Sequence, residues 1–439
     1  MSELDPNIRW IVAQEGTRQT YGVPLSFQKC GSLRLLCTDL WCRYGRAALR
    51  HGTAGARAFA THYDPGIPSE KVVSFNSRAV LWRAWYHFHR ASMSPDELAE
   101  VWIRYGHWFA CRVRDEISRL RLDPKRDVYF GFNTNCLETL GPLKEQGILT
   151  VVDQTDPARV EEEMILEEAR RWAGWEKIPG RLPEAYWQRL QAEWDLADII
   201  LVNSEWSSDA LVKQGVEAKR IIIVPLAIDL PPKPMHQPVN PAGRLKVIWL
   251  GSVILRKGIQ YLVEAARLLE RENIEFLLAG PVGISPQVVA NFPANMKMLG
   301  RVTRDQLTEV YQQGHVFVLP TVSDGFAITQ LEAMAHGLPV VTTSNCGRVV
   351  TDGLDGLIVP ARDSVALAAA LARLNADRKL LLAMSRHALE TIQQYDLRSN
   401  GKLMESEVKQ FRNKLRCDEQ LGKKCGGQLS PASTTAEVS

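Results

Sequence analysis

VFVLPTVSDGFAITQLEAMAHGLPVVTT, residues 316–343, reads as strand, loop, helix and strand, with a punctuating residue at each join. Val316–Leu319 is a β-branched and aromatic run closed by Pro320, and Thr321–Gly325 supplies small and acidic turn residues. The pattern predicts a helix over 327–336. It should end at Gly337, a residue suited to the left-handed position after a helix, and Pro339 then opens a second buried strand, Val340–Thr343. The helix starts where a strand ends, so the free amides of Gly325, Phe326, Ala327 and Ile328 and the positive end of the helix dipole form a place for an anion such as a pyrophosphate. Asp324 stands at its mouth.

At about 100° per residue, Ile328, Leu331 and Ala335 share the stripe that should face a sheet, and Glu332 falls inside the same arc. A carboxylate on a core-facing stripe loses several kcal/mol of hydration unless something hydrogen-bonds it. Two partners answer that need: the hydroxyls of a ligand, or an arginine of the core.

A chain of 439 residues with 45% apolar content supports two ordinary cores and a tail. MSELDPNIR lacks the basic and then apolar run of a signal peptide, and no window offers about 18 uninterrupted apolar residues, so a cytoplasmic location is expected. Eight cysteines lie scattered without C-x-x-C or Cys/His spacing, as expected of reduced thiols and not of a zinc site. A net charge of +3 gives no global argument for a nucleic-acid partner.

In chain order, Ile8–Ala13 is a first strand, and the loop after it, QEGTRQTYGVPLS, carries Gly16 and Gly22 but no G-x-G-x-x-G dinucleotide fingerprint. Lys71–Asn76 is a further strand, followed by the helical RAVLWRAWYHFHRA, with Leu81, Trp85 and Phe88 on one face and Arg83, His87 and Arg90 around it. Residues 40–126 hold fifteen Lys/Arg against eight Asp/Glu, an excess that the whole chain does not share. Two readings stand: an amphipathic helix that covers the sheet with its arginines at the rim, or a basic aromatic surface that meets an anionic membrane or a phosphate-bearing lipid.

Asp127–Gly131, Thr150–Asp153, Ile199–Asn203 and Ile221–Val224 complete a parallel, doubly wound sheet. At the ends of its two central strands, FGFNTN (130–135) and VVDQTDP (151–157) offer Asn133, Asp153 and Asp156 as polar groups for a cleft and no histidine. VEEEMILEEARRWAGWEKIPG, 160–180, reads as a helical excursion near the cleft mouth, with no role that its pattern assigns. Residues 230–243 hold five prolines and read as a linker. The second domain begins with VIWLGSVILRKGIQYLVEAARLL, a strand ending at Gly251, a loop with Ser252, Arg256 and Lys257, and a helix with Ile259, Leu262, Val263 and Ala266 inward.

DGFAITQLEAMAHGLPVV resembles the signature of the retaining family-4 glycosyltransferases of GT-B fold, two acids separated by seven residues and an E-A-M-A-x-G-x-P-V-V run. The resemblance implies an α/β chain of two Rossmann-like domains facing each other across a cleft: an N-terminal, acceptor-side domain over 1–229, the linker over 230–243, a nucleotide-sugar domain over 244–396, a helix over 397–415 returning to the first domain, and a disordered tail over 416–439. It implies that Glu332 holds the ribose hydroxyls of a sugar nucleotide, that Asp324, where the family usually has Glu, contacts the donor sugar, and that Lys257 holds the phosphates. Ser252 occupies the position of the family's phosphate-binding arginine, with Arg256 as a substitute from the loop. Backbone groups near Val302 would line the base pocket, and the loop with Gly16 and Gly22 would border the acceptor. The expected activity is transfer of a hexose from a nucleoside-diphosphate sugar, such as UDP- or GDP-hexose, to a saccharide or lipid-linked acceptor in polysaccharide or glycoconjugate synthesis. Neither a cofactor nor a metal is expected, and peripheral contact with the inner face of a membrane stands as one of the two readings of the basic segment. Rival readings are a GT-B sugar-nucleotide epimerase and a sugar-nucleotide-binding relative without turnover.

Overall fold

Alternation along single strands decides the layering. In β1 (Arg9–Gln14), Trp10 and Val12 enter one apolar cluster, and Ile11 and Ala13 enter another on the opposite face. In β8 (Leu245–Leu250), Leu245, Val247 and Trp249 go one way and Ile248 the other. Strands buried on both faces belong to parallel sheets sandwiched by helices, and the computed structural model, which describes residues 7–230, 243–303 and 306–426, contains two of them.

The first sheet has seven strands in the order β3-β2-β1-β4-β5-β6-β7, adding β2 (Leu33–Thr38), β3 (Val72–Ser74), β4 (Asp127–Phe132), β5 (Leu149–Gln154), β6 (Ile199–Val202) and β7 (Ile221–Ile223). The second has six in the order β10-β9-β8-β11-β12-β13, with β9 (Ile274–Ala279), β10 (Met296–Gly300), β11 (Val316–Leu319), β12 (Val340–Thr343) and β13 (Gly356–Val359). The winding direction reverses between β1 and β4 in one sheet and between β8 and β11 in the other. At such reversals the loops leaving the two strands diverge and leave a crevice at the carboxyl edge.

The helix of the 316–343 unit is Thr329–Ala335, two residues later than the pattern predicts. Phe326 is buried against Gly347, where a Cβ would stand 2.3 Å from its ring, so the chain must turn before it can coil. It does so at Ala327, with φ +62°. Gly337 is left-handed as expected, with φ +72°. β2 and β13 were not foreseen; LRLLCT reads equally as helix, and β13 opens on Gly356 directly after the turn-forming DGLD, so only three apolar residues mark it.

The last helix, Leu397–Gly426, is longer than expected and takes in residues 416–426 of the expected tail. Leu397, Met404 and Val408 join the core beneath β1, and at Gly401 a Cβ would lie 2.6 Å from the Ser26 carbonyl, so glycine lets this helix close on helix Gly22–Cys30. The linker expected over 230–243 lies outside the described residues apart from its end residues, and so does 427–439.

Helix Asn76–His89 corrects the reading in which its apolar face covers the sheet. Leu81 is 72% and Phe88 79% exposed, Trp85 faces solvent as well, and only Ala79 is buried. The helix is held instead by Arg83, whose Nη2 lies 2.7 Å from Asp39 Oδ2. The seven cysteines whose side chains are described are all free thiols. Among the described residues no helix is long and apolar enough to cross a membrane.

Candidate active site

The loops leaving β8 and β11 pack on each other. Gly258, with φ +82°, sits where a Cβ would be 1.8 Å from the Pro320 carbonyl, so conformation and space both demand glycine. The Arg256 carbonyl accepts from the Val322 amide at 2.9 Å and from Thr321 Oγ1 at 3.2 Å. This tie aims Lys257 at Asp324, and the two form an ion pair. Arg256 donates to the Ser323 carbonyl at 3.1 Å and lies 4.0 Å from the other Asp324 oxygen. Asp324 is buried and its amide is held by Asn345 O at 3.0 Å. The amides of Phe326, Ala327 and Ile328 donate to no acceptor among the described residues. The Phe326 side chain is core, so its backbone alone can serve a ligand. Gly251 and Ser252 begin the same loop, and Gly251 is pinned by Gly280, whose Cβ would meet the Gly251 carbonyl at 2.0 Å.

Facing them, the loop after β1 passes through three consecutive left-handed residues, Gln19, Thr20 and Tyr21, before Gly22 opens its helix. Non-glycine residues cost about 1 kcal/mol each in that conformation, and the surroundings must hold them there. The Gly16 amide donates to Asp39 Oδ1 at 2.8 Å, and Tyr105 OH and Arg83 reach Asp39 Oδ2 at 2.8 and 2.7 Å. Burial opposes the Asp39 charge, but these donors outweigh it and hold the carboxyl below its usual value. Arg18 crosses from this loop to Asn133 Oδ1 at 3.1 Å. Asp153, at the end of β5, is 1% exposed, its Oδ1 has no hydrogen-bond partner among the described residues, and burial pushes it up to about 7 against the pull of Arg18. Asp156 caps its own turn, accepting from the Ala158 amide at 2.9 Å.

The acidic excursion that pattern alone left without a role crosses the seam between the domains. From helix Arg159–Arg171, Glu161 accepts from Ser323 Oγ at 2.9 Å and from Arg256 at 3.3 Å. Burial pushes Glu161 up to about 7 against the pull of Arg256, with Asp156 and Asp324 adding to the rise. One turn and more along, Glu168 is fully buried and accepts from Gln260 at 2.8 Å and Tyr261 OH at 2.9 Å, with Arg362 Nε at 2.7 Å. Glu176 accepts from the Leu255 amide. Closer to the switch points, Ser204 Oγ donates to the Gly325 carbonyl at 2.6 Å and Trp206 Nε1 to Ser323 Oγ at 3.1 Å. A Cβ on Gly325 would meet Thr155 O at 2.1 Å, so the first domain presses directly on the acidic-pair loop.

On the other side of that contact the seam opens into a cavity of about 340 Å³, lined by Thr20 and Gly22 from one domain and by Tyr311, Ile328, Glu332 and His336 from the other. Tyr311, itself buried, donates its hydroxyl to Glu332 Oε2 at 2.8 Å. Leu331 and Ala335 are core as the stripe requires, while Glu332 is half-buried and faces the cavity. Val302 packs partly buried near the same cluster. The structure thus brings Lys257, Arg256 and Asp324 into one cluster and Glu332, Ile328 and Gly22 around one cavity. Gly16, Asn133, Asp153 and Asp156 line neither; they hold the opposing lip. Arg18, Glu161 and Tyr311 escaped sequence reasoning, although the run of glutamates at 161–163 was a visible signal without a visible target.

Residues 244–377 match the family described as glycosyl transferases group 1. The chain is 24% identical over 200 residues to the amylovoran biosynthesis glycosyltransferase AmsK of Erwinia amylovora, covering 40% of this chain and 47% of that protein. It is 27% identical over 155 residues to the N,N'-diacetylbacillosaminyl-diphospho-undecaprenol alpha-1,3-N-acetylgalactosaminyltransferase of Campylobacter jejuni, covering 34% of this chain and 40% of that protein. The chain spans about half the length of the curated relatives it matches. Its backbone is similar to that of Anabaena HepE in complex with UDP and glucose, with a TM-score of 0.57 and 12% identity, covering 92% of this chain and 100% of that one. The fold is GT-B, and the second domain carries the group 1 glycosyltransferase module.

Proposed function

From that module and that fold we propose that the chain is a retaining hexosyltransferase, moving a hexose from a nucleoside-diphosphate sugar to a saccharide or lipid-linked acceptor. The observation that carries the reading is the placement of two cations, Lys257 and Arg256, against Asp324 at one switch point, with Glu332 opening on the interdomain cavity beside it. Expelling a nucleoside diphosphate while the anomeric carbon becomes cation-like makes charge on the leaving pyrophosphate the main barrier. Lys257, released from Asp324 by the incoming phosphates, and the amides of 326–328 oppose that charge by preorganised electrostatics. Asp324, freed in the same exchange, turns to the sugar hydroxyls, and Glu332, oriented by Tyr311, takes the ribose hydroxyls. Because the leaving charge meets two side-chain cations, the reaction proposed needs no divalent metal.

A thermal-shift panel with UDP, GDP and ADP tests the donor site. One of them at about 100 times its dissociation constant should stabilise the fold by roughly 2.7 kcal/mol, and no shift with any of them rejects a nucleotide-sugar site here. Retention is checked by NMR of the product anomer. Free nucleoside diphosphate released only with acceptor present separates transfer from epimerisation and from binding without turnover.

The exposed Leu81, Trp85 and Phe88 beside Arg90 support contact with an anionic membrane surface, which fits a lipid-linked acceptor. Arg83 is excluded from that surface by its pair with Asp39. Sedimentation with anionic vesicles should be lost in a Leu81→Glu, Phe88→Glu variant; equal sedimentation removes the contact.

A further inference from the structure

We propose that the first domain carries a second binding site, outside the interdomain cavity, for an acidic saccharide chain lying along helices Asn76–His89 and Pro95–Ile117. The two helices build a continuous aromatic ladder. Phe75 meets Trp108 at 6.3 Å, Trp108 meets Tyr105 at 5.1 Å, Tyr105 meets Trp82 at 3.9 Å, and Trp82 stacks on Tyr86 at 5.3 Å. Along the ladder run two open cavities of about 550 and 310 Å³, which meet at Arg78 and Trp108. The first is flanked by Arg78 and Arg112, the second by Arg78, Trp82, Trp85 and Arg104.

The charges of this groove are arranged differently from those around it. Arg83 is paired with Asp39 and Arg104 with Glu100. Arg78 and Arg112 have no carboxylate within ion-pair distance among the described residues; each guanidinium lies 5.5 Å over a ring, of Trp108 and of Phe75. Two like charges lining one cavity repel unless an anion lies between them. Arginine forks match carboxylate, sulfate and phosphate oxygens in bidentate fashion. Aromatic faces suit the C–H faces of sugar rings, and guanidinium groups between them suit an acidic substituent on those sugars.

Other anions fit less well. Arginines and rings also serve single-stranded nucleic acid, but there successive bases stack on a run of ring faces, whereas here Tyr105 is turned 30° from Trp82 and 44° from Trp108, and Trp108 75° from Phe75, so the ladder offers no continuous stack. A bilayer meets a convex surface, and this one is concave; Leu81 and Phe88, on the outer side of the helix, are the residues that stand proud. The groove starts at Ser74, the end of β3, on the same carboxyl edge of the sheet as the cleft, and Arg83 and Tyr105 of its helices hold Asp39 and through it the Gly16 amide. A chain bound in the groove would lead toward the cleft's first-domain lip.

The test needs no nucleotide sugar, so its failure leaves the transferase reading standing. The full chain is titrated with an oligogalacturonate hexamer, maltohexaose, oligothymidylate and anionic vesicles, followed by tryptophan fluorescence and calorimetry. The expected result is that oligogalacturonate binds at least about tenfold more tightly than maltohexaose, and that Arg78→Gln, Arg112→Gln weakens it at least about tenfold while the UDP thermal shift stays as in the wild type. Equal binding by the double variant, equal binding of maltohexaose, a preference for oligothymidylate, or vesicle binding that Arg78→Gln, Arg112→Gln also weakens about tenfold overturns the proposal. Should the double variant misfold by near-ultraviolet circular dichroism, Arg112→Gln alone carries the test, with unchanged affinity overturning it.

Discussion

The two sides of the interdomain seam are built on opposite principles. On the side of helix Arg159–Arg171 the first domain sends glutamates across into a waiting set of donors, and the joint is buried and closed: Glu168 accepts from Gln260 and Tyr261 and lies beside Arg362. On the side of Glu332 the domains stand apart around about 340 Å³, and Tyr311, from the same domain as Glu332, donates to it. Lys257, Arg256 and Asp324 sit where the two sides meet, with Glu161 touching them from the clasped side. The difference teaches that, Arg256 apart, closure and the proposed ligand contacts fall on separate residues. It also shows that Arg256 is shared between them, so that a phosphate reaching Arg256 competes with a contact holding the domains together.

The hardest test of this division is Glu168→Ala. Removing one partner of a buried charge cluster costs about 3 to 5 kcal/mol, and here the loss falls on the seam, so calorimetry should show unfolding split into two transitions. A single transition at unchanged temperature would mean that the clasp does not join the domains. Lys257→Ala should act on the chemistry instead, lowering kcat for transfer by about 10²- to 10³-fold, the scale for loss of one preorganised charge-stabilising donor. Arg256 remains beside Asp324, so thermal unfolding should move little; normal turnover would take Lys257 out of the site. Glu332→Gln belongs wholly to the open side. It should weaken nucleotide binding by roughly 1.5 to 3 kcal/mol and leave stability almost unchanged, and the reverse pattern would make Glu332 a structural partner of Tyr311 alone.

The smallest effect expected is on pH dependence. The folded chain holds the Glu161 proton to about pH 7, while the unfolded chain releases it near 4.5, so the folded state loses stability as pH rises through that window and no further above it. Glu161→Gln keeps the bond to Ser323 without titrating. It should flatten the fall in melting temperature between pH 5 and 8 by an amount worth at most about 3 kcal/mol. Asp153, also pushed up to about 7 by burial, and Glu15, Glu176 and Glu193, raised by burial as well, keep the rest of the slope. An unaltered slope in the variant would show that Glu161 is already ionised in the closed seam.

Residues 316–343 and 246–268 declared the second domain because each carries its own instructions. A β-branched run, a breaking proline, a helix stripe and a left-handed glycine act over neighbouring residues, and the spacing of Asp324 and Glu332 is set by the loop and helix that join them. The position of Lys257 at the end of the first strand–loop element was legible for the same reason. Leu33–Thr38 was missed because leucine, cysteine and arginine do not choose between strand and helix until β1 and β3 flank them. The fate of Leu81, Trp85 and Phe88 was equally beyond local pattern: an amphipathic helix has an apolar face, and only its neighbours decide whether that face is covered.

The sequence by itself therefore determined two doubly wound parallel sheets, the reversal loops at their carboxyl edges and the acid and base residues those loops carry. Tertiary structure alone decided that Glu161 and Glu168 reach Arg256 and Arg362 across the seam, that Arg83 is spent on Asp39 while Arg78 and Arg112 meet no carboxylate among the described residues, and that Glu332 faces a cavity between domains. Hydrophobic period and turn chemistry are short-range and are written along the chain. The partner of a charge is fixed by distance in space, here between residues 44 to 195 positions apart in sequence, and no pattern in either segment names the other.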